Sequence, residues 1–463
     1  MLFLPLFLLS LLLPFTTAKP SPNIGVNYGQ LGNNLPTPSQ SIHLLQTIKA
    51  GFVKIYDANP KILQALSGTQ LKVSIMVPNE LIINISSSQA LADSWVQTNI
   101  LPFYPKTKIR YVLVGNEILS TNQDPKLWVN LVPAMRRIQK SILSQKMFDI
   151  KVSTPSAMDV LASSFPPSNG AFRSDISGSV VKPLLSFLNR SKSDFFLDAY
   201  PYFPWSMSPK DINLDYALFR GGNFTYTDPV SKLTYTNLLD QMLDSVIFAM
   251  KKLGFPDIKL TIAETGWPTA GDVDQIGANI YNAAIYNRNL VHRLSAKPAI
   301  GTPARPGVVI PAIIFSLYNE NLKPGPTTER NWGLFYPNGT KVYKIKLTAP
   351  RPESDDKLPV PMNNEPYKGK IWCVVAKGME KNSSELGAAL GYACGQGNGT
   401  CDEIQLGKSC YKKGDTVLLA SYAFSSYWAK FRSVGGTCYF NGLAMQTTQD
   451  PSFGSCKFPS SKI

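Results

Sequence analysis

The feature that most constrains the fold of this chain is an alternation of short apolar runs and longer amphipathic segments, repeated between Asn23 and Leu317. The apolar runs have the length of β-strands, and the segments between them have a helical period. Alternating strands and helices imply parallel strand pairing. Eight such units predict an α/β fold, a closed (β/α)8 TIM barrel. The predicted strands are Ile24–Tyr28, Phe52–Tyr56, Lys72–Val77, Ile109–Val114, Lys151–Thr154, Phe195–Tyr200, Lys259–Ala263 and Ile310–Leu317.

Helical segments fill most intervals between these strands. An open doubly wound sheet is the alternative arrangement of the same elements. No glycine-rich dinucleotide-binding loop follows the first strand, so we favour the barrel. The clearest predicted helices are Ser39–Lys49, Gln89–Ile100, Leu127–Leu143, Leu238–Leu253 and Gln275–Leu294.

Two glutamates stand at the ends of predicted strands. Glu117 ends the fourth strand and Glu264 the seventh. In a barrel of this kind catalytic groups project from the C-terminal strand ends, and the fourth and seventh strands face each other across the mouth. Paired carboxylates in one cleft are the machinery of glycoside hydrolysis. The alternative is that both glutamates form salt bridges with surface Lys or Arg.

Other hydrolytic chemistries fit the sequence poorly. The chain has only two histidines, His43 and His292, whereas a Ser-His-Asp site needs a well-placed histidine and a histidine-rich metal centre needs several. All six cysteines lie between Cys373 and Cys456, where an even number in a short segment predicts disulfides rather than a thiol nucleophile. Carboxylates remain for acid–base work. We expect no metal and no cofactor.

The N-terminus predicts secretion. Residues 1–18 combine an apolar run from Met1 to Phe15 with a small-residue cleavage site, as in a signal peptide. No later run is long enough to span a membrane, and the C-terminal residues lack the hydrophobic tail of a lipid-anchor signal. Sequons for N-glycosylation fit this route. They occur at Asn84, Asn189, Asn223, Asn338, Asn382 and Asn398.

The formal net charge of +15 is spread along the chain. Secretion argues against nucleic acid as the partner of this charge, and no zinc-finger or Arg-rich pattern is present. A solvated basic surface is the simplest explanation. A more specific one is retention by charge on acidic polymers of an extracellular wall.

Five motifs stand at or near the predicted strand ends and after the last strand. They are Ile24-Gly25-Val26-Asn27-Tyr28-Gly29, Val53-Lys54-Ile55-Tyr56-Asp57, Val114-Gly115-Asn116-Glu117, Glu264-Thr265-Gly266-Trp267-Pro268 and Asn331-Trp332-Gly333-Leu334-Phe335. Together they resemble the plant β-1,3-glucanases of glycoside hydrolase family seventeen. The resemblance covers roughly Asn23 to Tyr343, in the order of the family, and implies a (β/α)8 barrel and a retaining mechanism. A mild departure is Tyr318-Asn319-Glu320, where Phe-Asp-Glu is often found.

The resemblance implies that Glu264 is the nucleophile and Glu117 the acid/base, with carboxyl groups about 5–5.5 Å apart. We expect the pKa of Glu117 to be raised by burial and by the second carboxylate. Asn116 is placed to bond the sugar 2-OH.

Three further charged residues match positions that line the family's cleft: Glu320, Lys323 and Glu329. Lys323 is expected to keep Glu264 ionised. A surface charge cluster is the alternative reading of all three.

Aromatic residues near the strand ends are candidate surfaces for stacking on sugar rings. They are Tyr56, Tyr200, Tyr202 and Trp267. Aromatic side chains at such positions also serve as lids on the core, which is the alternative. The long segment Pro204–Asn237 is expected to build one wall of an open groove, as long loops on the upper face of a barrel do.

Composition divides the chain after the barrel. Residues 19–347 form the predicted hydrolase domain, 348–368 a Pro-rich, semi-rigid linker and 369–463 a small disulfide-rich tail. The tail resembles the X8 module, or carbohydrate-binding module family forty-three, whose members bind β-1,3-glucan. Tethering such a binder to an enzyme raises the local substrate concentration.

Six cysteines alone allow fifteen pairings. The resemblance implies the three bonds Cys373–Cys438, Cys394–Cys401 and Cys410–Cys456. Aromatic residues of the tail either stack on sugars or form its core. The candidates are Tyr422, Tyr427 and Trp428.

The sequence thus predicts a secreted, monomeric endo-β-1,3-glucanase that cleaves callose-like glucan with retention and carries a glucan-binding tail. Three alternatives stay open: a non-catalytic wall-binding protein, a transglucosylase with the same residues, and a mixed-linkage glucanase. The expected location is the extracellular cell wall, and no tail motif decides between wall and vacuole.

Overall fold

The computed structural model describes residues 21–348, 357–397 and 399–462. The predicted signal peptide lies outside the described residues. So do Pro350 and Pro352 of the predicted linker, and the sequon at Asn398.

One parallel sheet forms the body of the molecule. Its two edge strands are consecutive pieces of the chain, separated by Thr154: the first pairs with the fourth barrel strand and the second with the sixth. The sheet therefore closes on itself as a barrel with eight strand positions, the fifth of which is split. In chain order the strands are Ile24–Tyr28, Phe52–Ile55, Lys72–Val77, Lys108–Val114, Lys151–Ser153, Pro155–Ala157, Phe195–Asp198, Leu260–Thr265 and Ala312–Ile314.

Helices surround the barrel and connect most of its strands. Side-chain caps fix several helix starts, for example Asn237, whose amide oxygen accepts from Asp240 N. Among the described residues, three pairs of short antiparallel strands form hairpins in the loops of the barrel. They are Leu161–Ser163 with Ala171–Phe172, Tyr226–Thr227 with Thr234–Tyr235, and Gly301–Thr302 with Arg305–Pro306. The main helices up to Leu294 are Pro38–Thr47, Pro60–Leu66, Ile82–Ser87, Gln89–Asn99, Pro125–Ser144, Lys182–Ser191, Tyr202–Met207, Leu214–Ala217, Leu238–Lys252 and Ile280–Leu294.

The helix predicted to begin at Gln275 begins at Ile280 instead. Asn279 is its N-cap and accepts from Asn282 N at 2.9 Å. The Gln275 side chain is used in the preceding loop, where its amide oxygen accepts from Asp272 N at 2.7 Å. Local side-chain bonds therefore hold residues 272–278 outside the helix.

Several predicted strands have different ends in the structure, and the differences at the seventh and eighth strands affect the site. The seventh strand continues to Thr265, so Glu264 lies inside it rather than after it. The eighth is shorter than predicted because Ser316 leaves the barrel ladder. Ser316 N donates to Trp332 O, and Leu334 N donates to Ser316 O.

The interior of the barrel is a small apolar cluster of Met76, Leu113, Phe196, Ala263 and Ile313, each at most 2% exposed. A much larger apolar layer lies between the strands and the surrounding helices. The interior is thus packed, and the open space lies at the strand ends.

The C-terminal segment forms a second apolar core of its own. Strand Lys370–Val375 pairs antiparallel with Ala444–Thr447 and with Ser461–Lys462. Helices Ser383–Gly395 and Thr416–Phe431 pack beside it. We refer to residues 370–462 as the module.

Disulfides join the module internally in the pairing that the family resemblance implied: Cys373–Cys438, Cys394–Cys401 and Cys410–Cys456. Tyr422 and Trp428 are 5% and 2% exposed, so they belong to the core of the module and offer no stacking surface. Across the described ranges, no helix is both long enough and apolar enough to cross a membrane.

Candidate active site

A cavity of about 510 Å³ opens at the C-terminal ends of the barrel strands. Glu117 and Glu264 both line it, as the sequence predicted. The predicted binding residues Tyr56, Asn116, Tyr200, Glu320, Lys323 and Glu329 line it too. The remaining lining residues are Gly29, Gln30, Leu31, Asp57, Phe203, Phe315 and Trp332. We call this cavity the cleft.

Glu264 is held by three donors. Lys54 Nζ lies 2.6 Å from its Oε1, Tyr56 OH donates to the same oxygen at 2.5 Å, and Tyr200 OH donates to Oε2 at 2.6 Å. Burial raises the pKa of Glu264, but the charge and hydrogen bond of Lys54, together with the two tyrosine bonds, outweigh burial and lower that pKa. Glu264 is therefore ionised across the neutral and mildly acidic range.

The lysine expected beside Glu264 was Lys323, and that prediction is wrong. Lys323 Nζ pairs with Glu329 Oε2 at 3.2 Å, and Lys54 occupies the place assigned to it. Lys54 is 0% exposed and lies in the middle of the second strand. A lysine inside an otherwise apolar strand, Phe52–Ile55, was the available signal, since a buried charge needs a partner.

Glu117 has an unusual backbone conformation. Its φ is +50°, in the left-handed region that non-glycine residues seldom adopt, and its N–H donates to Pro155 O at 3.2 Å. Strain of this kind is found where a site requires a particular side-chain direction. Burial and the charge of Glu264, opposed by the charge of Lys54, together raise the pKa of Glu117 to about 7. Glu117 is therefore largely protonated below neutral pH.

Asn116 is positioned by Asn79, which the sequence analysis missed. Asn116 N donates to Asn79 Oδ1 at 2.8 Å, and Asn79 Nδ2 donates back to Asn116 O at 3.3 Å. Asn116 Oδ1 is buried and has no hydrogen-bond partner among the described residues. This amide is thus available to a ligand in the cleft.

Glu320 lies at the opposite side of the cleft and is 3% exposed. Its Oε1 accepts from Leu31 N at 2.8 Å. Its carboxylate lies so close to Gly29 that a Cβ there would be 2.2 Å from Oε2, so a side chain at position 29 would displace the Glu320 carboxylate. Burial raises the pKa of Glu320, while the bond from Leu31 N and the charge of Lys323 oppose burial.

A third carboxyl group, Asp198, lies beside the pair and was also missed. It is 3% exposed, pairs in strand register with Glu264, and has no hydrogen-bond partner on either oxygen among the described residues. Burial raises its pKa well above the usual range; the charges of Glu264 and Glu117 add to this, and Lys54 opposes them. A buried, unpaired carboxyl group in such surroundings is neutral.

Two predicted stacking residues do not lie in the cleft. Trp267 is 0% exposed, and its Nε1 donates to Gly277 O at 2.7 Å. Tyr202 is 3% exposed and packs edge-on against Trp267 at a centroid distance of 5.3 Å. Both are packing residues, because both are buried and each ring packs against the other.

The aromatic surface of the cleft comes instead from Phe203, Phe315 and Trp332, together with Tyr56 and Tyr200. Phe203 is 41% exposed and also borders a second cavity of about 760 Å³. Much of that second cavity is lined by residues between Pro204 and Asn237, the long segment singled out in the sequence. The two cavities therefore adjoin through Phe203.

Comparison with known families gives two matches. Residues 24–347 match the family described as "Glycosyl hydrolases family 17", and this range includes every residue that lines the cleft. The description "X8 domain" matches residues 371–445, within the module.

Curated relatives match over nearly the whole chain. A probable glucan endo-1,3-beta-glucosidase of Arabidopsis thaliana is 55% identical over 438 residues, which cover 94% of this chain and 91% of that protein. A second Arabidopsis thaliana protein, glucan endo-1,3-beta-glucosidase 7, is 38% identical and covers 98% of this chain and 87% of its own length.

Solved structures agree with these relatives. A beta-1,3-glucanase and allergen of Cryptomeria japonica pollen aligns with a TM-score of 0.67 and 40% identity, over 70% of this chain and 99% of that one. A plant beta-glucan endohydrolase aligns with a TM-score of 0.63 and 34% identity, over the same shares. The barrel, the carboxyl groups of its cleft and these matches together establish that the chain belongs to glycosyl hydrolases family 17 and carries an X8 domain.

Proposed function

We propose that this glycosidase hydrolyses internal β-1,3-glucosidic linkages of callose-like glucan with retention of configuration. The observation that carries the proposal is a pair of carboxyl groups in one cleft with opposite protonation states. Lys54 keeps Glu264 ionised, and burial keeps Glu117 protonated. Pairs of titratable groups whose surroundings push their pKa values apart divide acid and base roles between them.

In this proposal Glu264 attacks the anomeric carbon while Glu117 gives its proton to the departing glycosidic oxygen. The product is a glycosyl-enzyme ester on Glu264 and a shortened glucan with a free hydroxyl. Glu117, now ionised, then takes a proton from water, which attacks the same carbon and releases Glu264. A retaining mechanism of this kind requires carboxyl groups about 5–5.5 Å apart.

The neighbouring residues have supporting roles. Tyr56 and Tyr200 hold the Glu264 carboxylate in one orientation through their hydroxyl groups. The free Asn116 amide bonds the sugar 2-OH, a contact that strengthens in the transition state. Glu320, Lys323 and Glu329 bind sugar hydroxyls at the far side of the cleft.

The substrate class follows from the relatives, which are named for endo-1,3-β-glucosidase activity, and from the shape of the site. The cleft and the second cavity adjoin through Phe203, which provides a path longer than one sugar ring. An extended path suits cleavage inside a polymer.

Substitution of each glutamate tests the assignment. Glu264→Gln and Glu117→Gln should each lower hydrolysis of a soluble β-1,3-glucan by about 10²–10⁴-fold. Asp257→Asn is the control: it removes a carboxylate that is exposed at the opposite end of the barrel, just before the seventh strand, and it should retain full activity. Unchanged hydrolysis in either of the first two variants contradicts the proposal.

Two further measurements define the chemistry. A mechanism-based epoxide inhibitor should label Glu264, and labelling of another residue would reassign the nucleophile. Products from a linear β-1,3-glucan should be shorter than the substrate throughout the time course. Products longer than the substrate would identify glycosyl transfer instead.

The proposal includes secretion to the extracellular wall and N-glycosylation, with the basic surface held by acidic wall polymers. Within the described residues, five of the sequons have exposed asparagines, which supports their accessibility to glycan transfer: Asn84, Asn189, Asn223, Asn338 and Asn382. Mass spectrometry of the protein purified from its native host would identify the occupied positions.

A further inference from the structure

The module lies against the barrel at the loop that follows the seventh strand. Gln446 Nε2 donates to Asp274 Oδ1 at 2.9 Å, and Asp274 N donates to Gln446 Oε1 at 3.3 Å. Arg432 Nε lies 3.4 Å from Asp274 Oδ2. Val273 packs against the apolar core of the module. Asp274 therefore uses its backbone and both carboxylate oxygens to contact the module.

A second contact involves the segment that carries two cleft residues. The Arg330 guanidinium stacks on the ring of Tyr439 at 4.3 Å, and Tyr439 OH donates to Lys323 O at 3.4 Å. Arg330 also donates to Lys323 O at 3.2 Å. The Lys323 side chain lines the cleft beside Glu329. The module thus touches the backbone of a residue whose side chain faces the substrate site.

The chain that leads into the module is itself bound to the barrel. Gly277 N donates to Asn363 O at 2.6 Å, and Asn279 Nδ2 donates to Asn363 Oδ1 at 2.8 Å. Asn364 Oδ1 accepts from Asn279 at 2.9 Å and from Asn282 at 2.7 Å. These bonds lie within the segment predicted to be a linker.

The remaining spacer is short. Between Asn364 and the first module strand, which begins at Lys370, there are five residues. Five fully extended residues span at most about 18 Å. A module held by such a spacer cannot explore distant parts of a polysaccharide while the enzyme acts elsewhere.

We propose that the module is a fixed extension of the cleft and not a mobile tether. Docked on residues 273–274 and 323–330, it adds binding surface for a glucan chain that leaves the cleft past Lys323. Attachment through a short spacer corresponds to an effective concentration in about the millimolar range, so modest contacts suffice for docking. The gain in substrate binding rests on the proposed function; the docking does not.

Charge reversal at the interface tests the docking through activity. Asp274→Lys removes the acceptor of the Gln446 Nε2 bond and places a positive charge beside Arg432. We expect kcat/KM for a soluble β-1,3-glucan polymer to fall about tenfold, the loss expected from one or two contacts, while kcat/KM for a β-1,3-linked pentasaccharide stays within about twofold. Asp257→Lys is the matched control, because Asp257 is exposed at the opposite end of the barrel, just before the seventh strand.

Locking the interface gives the complementary result. All six cysteines form disulfides within the module, so Asp274→Cys and Gln446→Cys add the pair that a short bis-maleimide can join. The cross-linked protein should keep full polymer activity. Loss of polymer activity on cross-linking, or an equal fall for polymer and pentasaccharide in Asp274→Lys, overturns the proposal.

Small-angle X-ray scattering separates this proposal from the proposed function, because it needs no activity. The parent protein and Asp257→Lys should share one compact radius of gyration, and Asp274→Lys should have a larger one. Equal radii in all three proteins overturn the docking, even if glucan is hydrolysed. Failure to hydrolyse glucan with the expected difference in radii overturns the proposed function alone.

Discussion

At the scale of single residues, the cleft is organised by the electrostatics of one lysine and three carboxyl groups. Lys54 is fully buried against Glu264, whereas Glu117 and Asp198 have raised pKa values. With Glu117 and Asp198 protonated, one positive and one negative charge remain, so the buried group of four is neutral. A neutral group avoids the cost of an unpaired buried charge.

The raised pKa of Glu117 predicts the alkaline limit of activity. Its proton is lost as the pH rises through about 7, and the ionised form cannot protonate the leaving oxygen. We expect kcat/KM for a β-1,3-linked oligosaccharide to fall above about pH 7 with the slope of one proton. If kcat/KM instead stayed constant up to pH 9, a group other than Glu117 would be the acid.

Lys54 and Lys323 can be compared directly. Removing the Lys54 charge raises the pKa of both Glu264 and Glu117, so Lys54→Met should shift both limbs of the pH profile to higher pH and lower the maximum. Lys323→Met should leave both limbs in place, since Lys323 pairs with Glu329. If the acidic limb of the pH profile shifted in Lys323→Met and not in Lys54→Met, Lys323 would be the residue that keeps Glu264 ionised, as the sequence predicted.

Asp198 allows a test through stability. Because its pKa is raised in the folded protein, Asp198 loses its proton at lower pH in the unfolded chain than in the folded one. The free energy of unfolding therefore falls as the pH rises above the pKa that Asp198 has in the unfolded chain. Asp198→Asn removes this loss. The variant should melt at higher temperature than the parent near pH 7 and at about the same temperature near pH 3. Equal melting temperatures at pH 7 would show that Asp198 is ionised in the native protein.

At the scale of elements, the aromatic residues that follow the sixth and seventh strands divide between packing and the border of the cleft. Trp267 lies in an aromatic cluster with Tyr202, Trp205 and Tyr286. Phe203, by contrast, is exposed at the border between the two cavities. Neighbouring aromatic residues thus have different expected phenotypes.

Trp267→Phe should lower the free energy of unfolding by about 1–2 kcal/mol, because it removes buried volume and the bond to Gly277 O, and should leave KM unchanged. Phe203→Leu should raise KM for polymer and leave the melting temperature nearly unchanged. Thermal melts and steady-state kinetics on both variants check this. A raised KM in Trp267→Phe would return Trp267 to the substrate site.

The elements themselves were predictable because their signals extend over many residues. Eight apolar runs and the spacing between them predicted the barrel, and the strand ends predicted Glu117 and Glu264. Lys54 and Asp198 were missed since single polar residues in a strand do not reveal which face they occupy. Trp267 was misassigned because it follows the end of the seventh strand, where no periodic pattern distinguishes a side chain in the cleft from one in the core.

At the scale of the whole molecule, two apolar cores meet at an interface of few residues. Asp274 and Gln446 are 172 residues apart, and no periodic pattern marks either of them. The sequence therefore predicted the barrel and the module and their order along the chain, but it gave no sign of the contacts between them, and residues 348–368 were predicted to be a linker. The contacts of Asn363 and Asn364 join the later part of that segment to the barrel.

The disulfides predict how independently the module folds. Cys373–Cys438 closes 65 residues, and Cys373→Ser with Cys438→Ser should destabilise the module by about 4 kcal/mol. The shorter Cys394–Cys401 bond, which closes seven residues, should cost about 2 kcal/mol when removed. Pentasaccharide hydrolysis should persist in both double variants, because every described disulfide lies outside the barrel. Loss of that activity would mean that the barrel needs a folded module.

The split of the fifth barrel strand at Thr154 has a consequence for heat inactivation. The piece that follows, Pro155–Ala157, closes the barrel by pairing with the sixth strand, and Pro155 O also accepts the N–H of Glu117. Local opening between Pro155–Ala157 and the sixth strand would free Glu117 from its backbone hydrogen bond while the other strand pairs persist. We therefore expect the thermal limit of catalysis to be set locally, by these three residues, and to lie below the temperature at which the barrel as a whole unfolds.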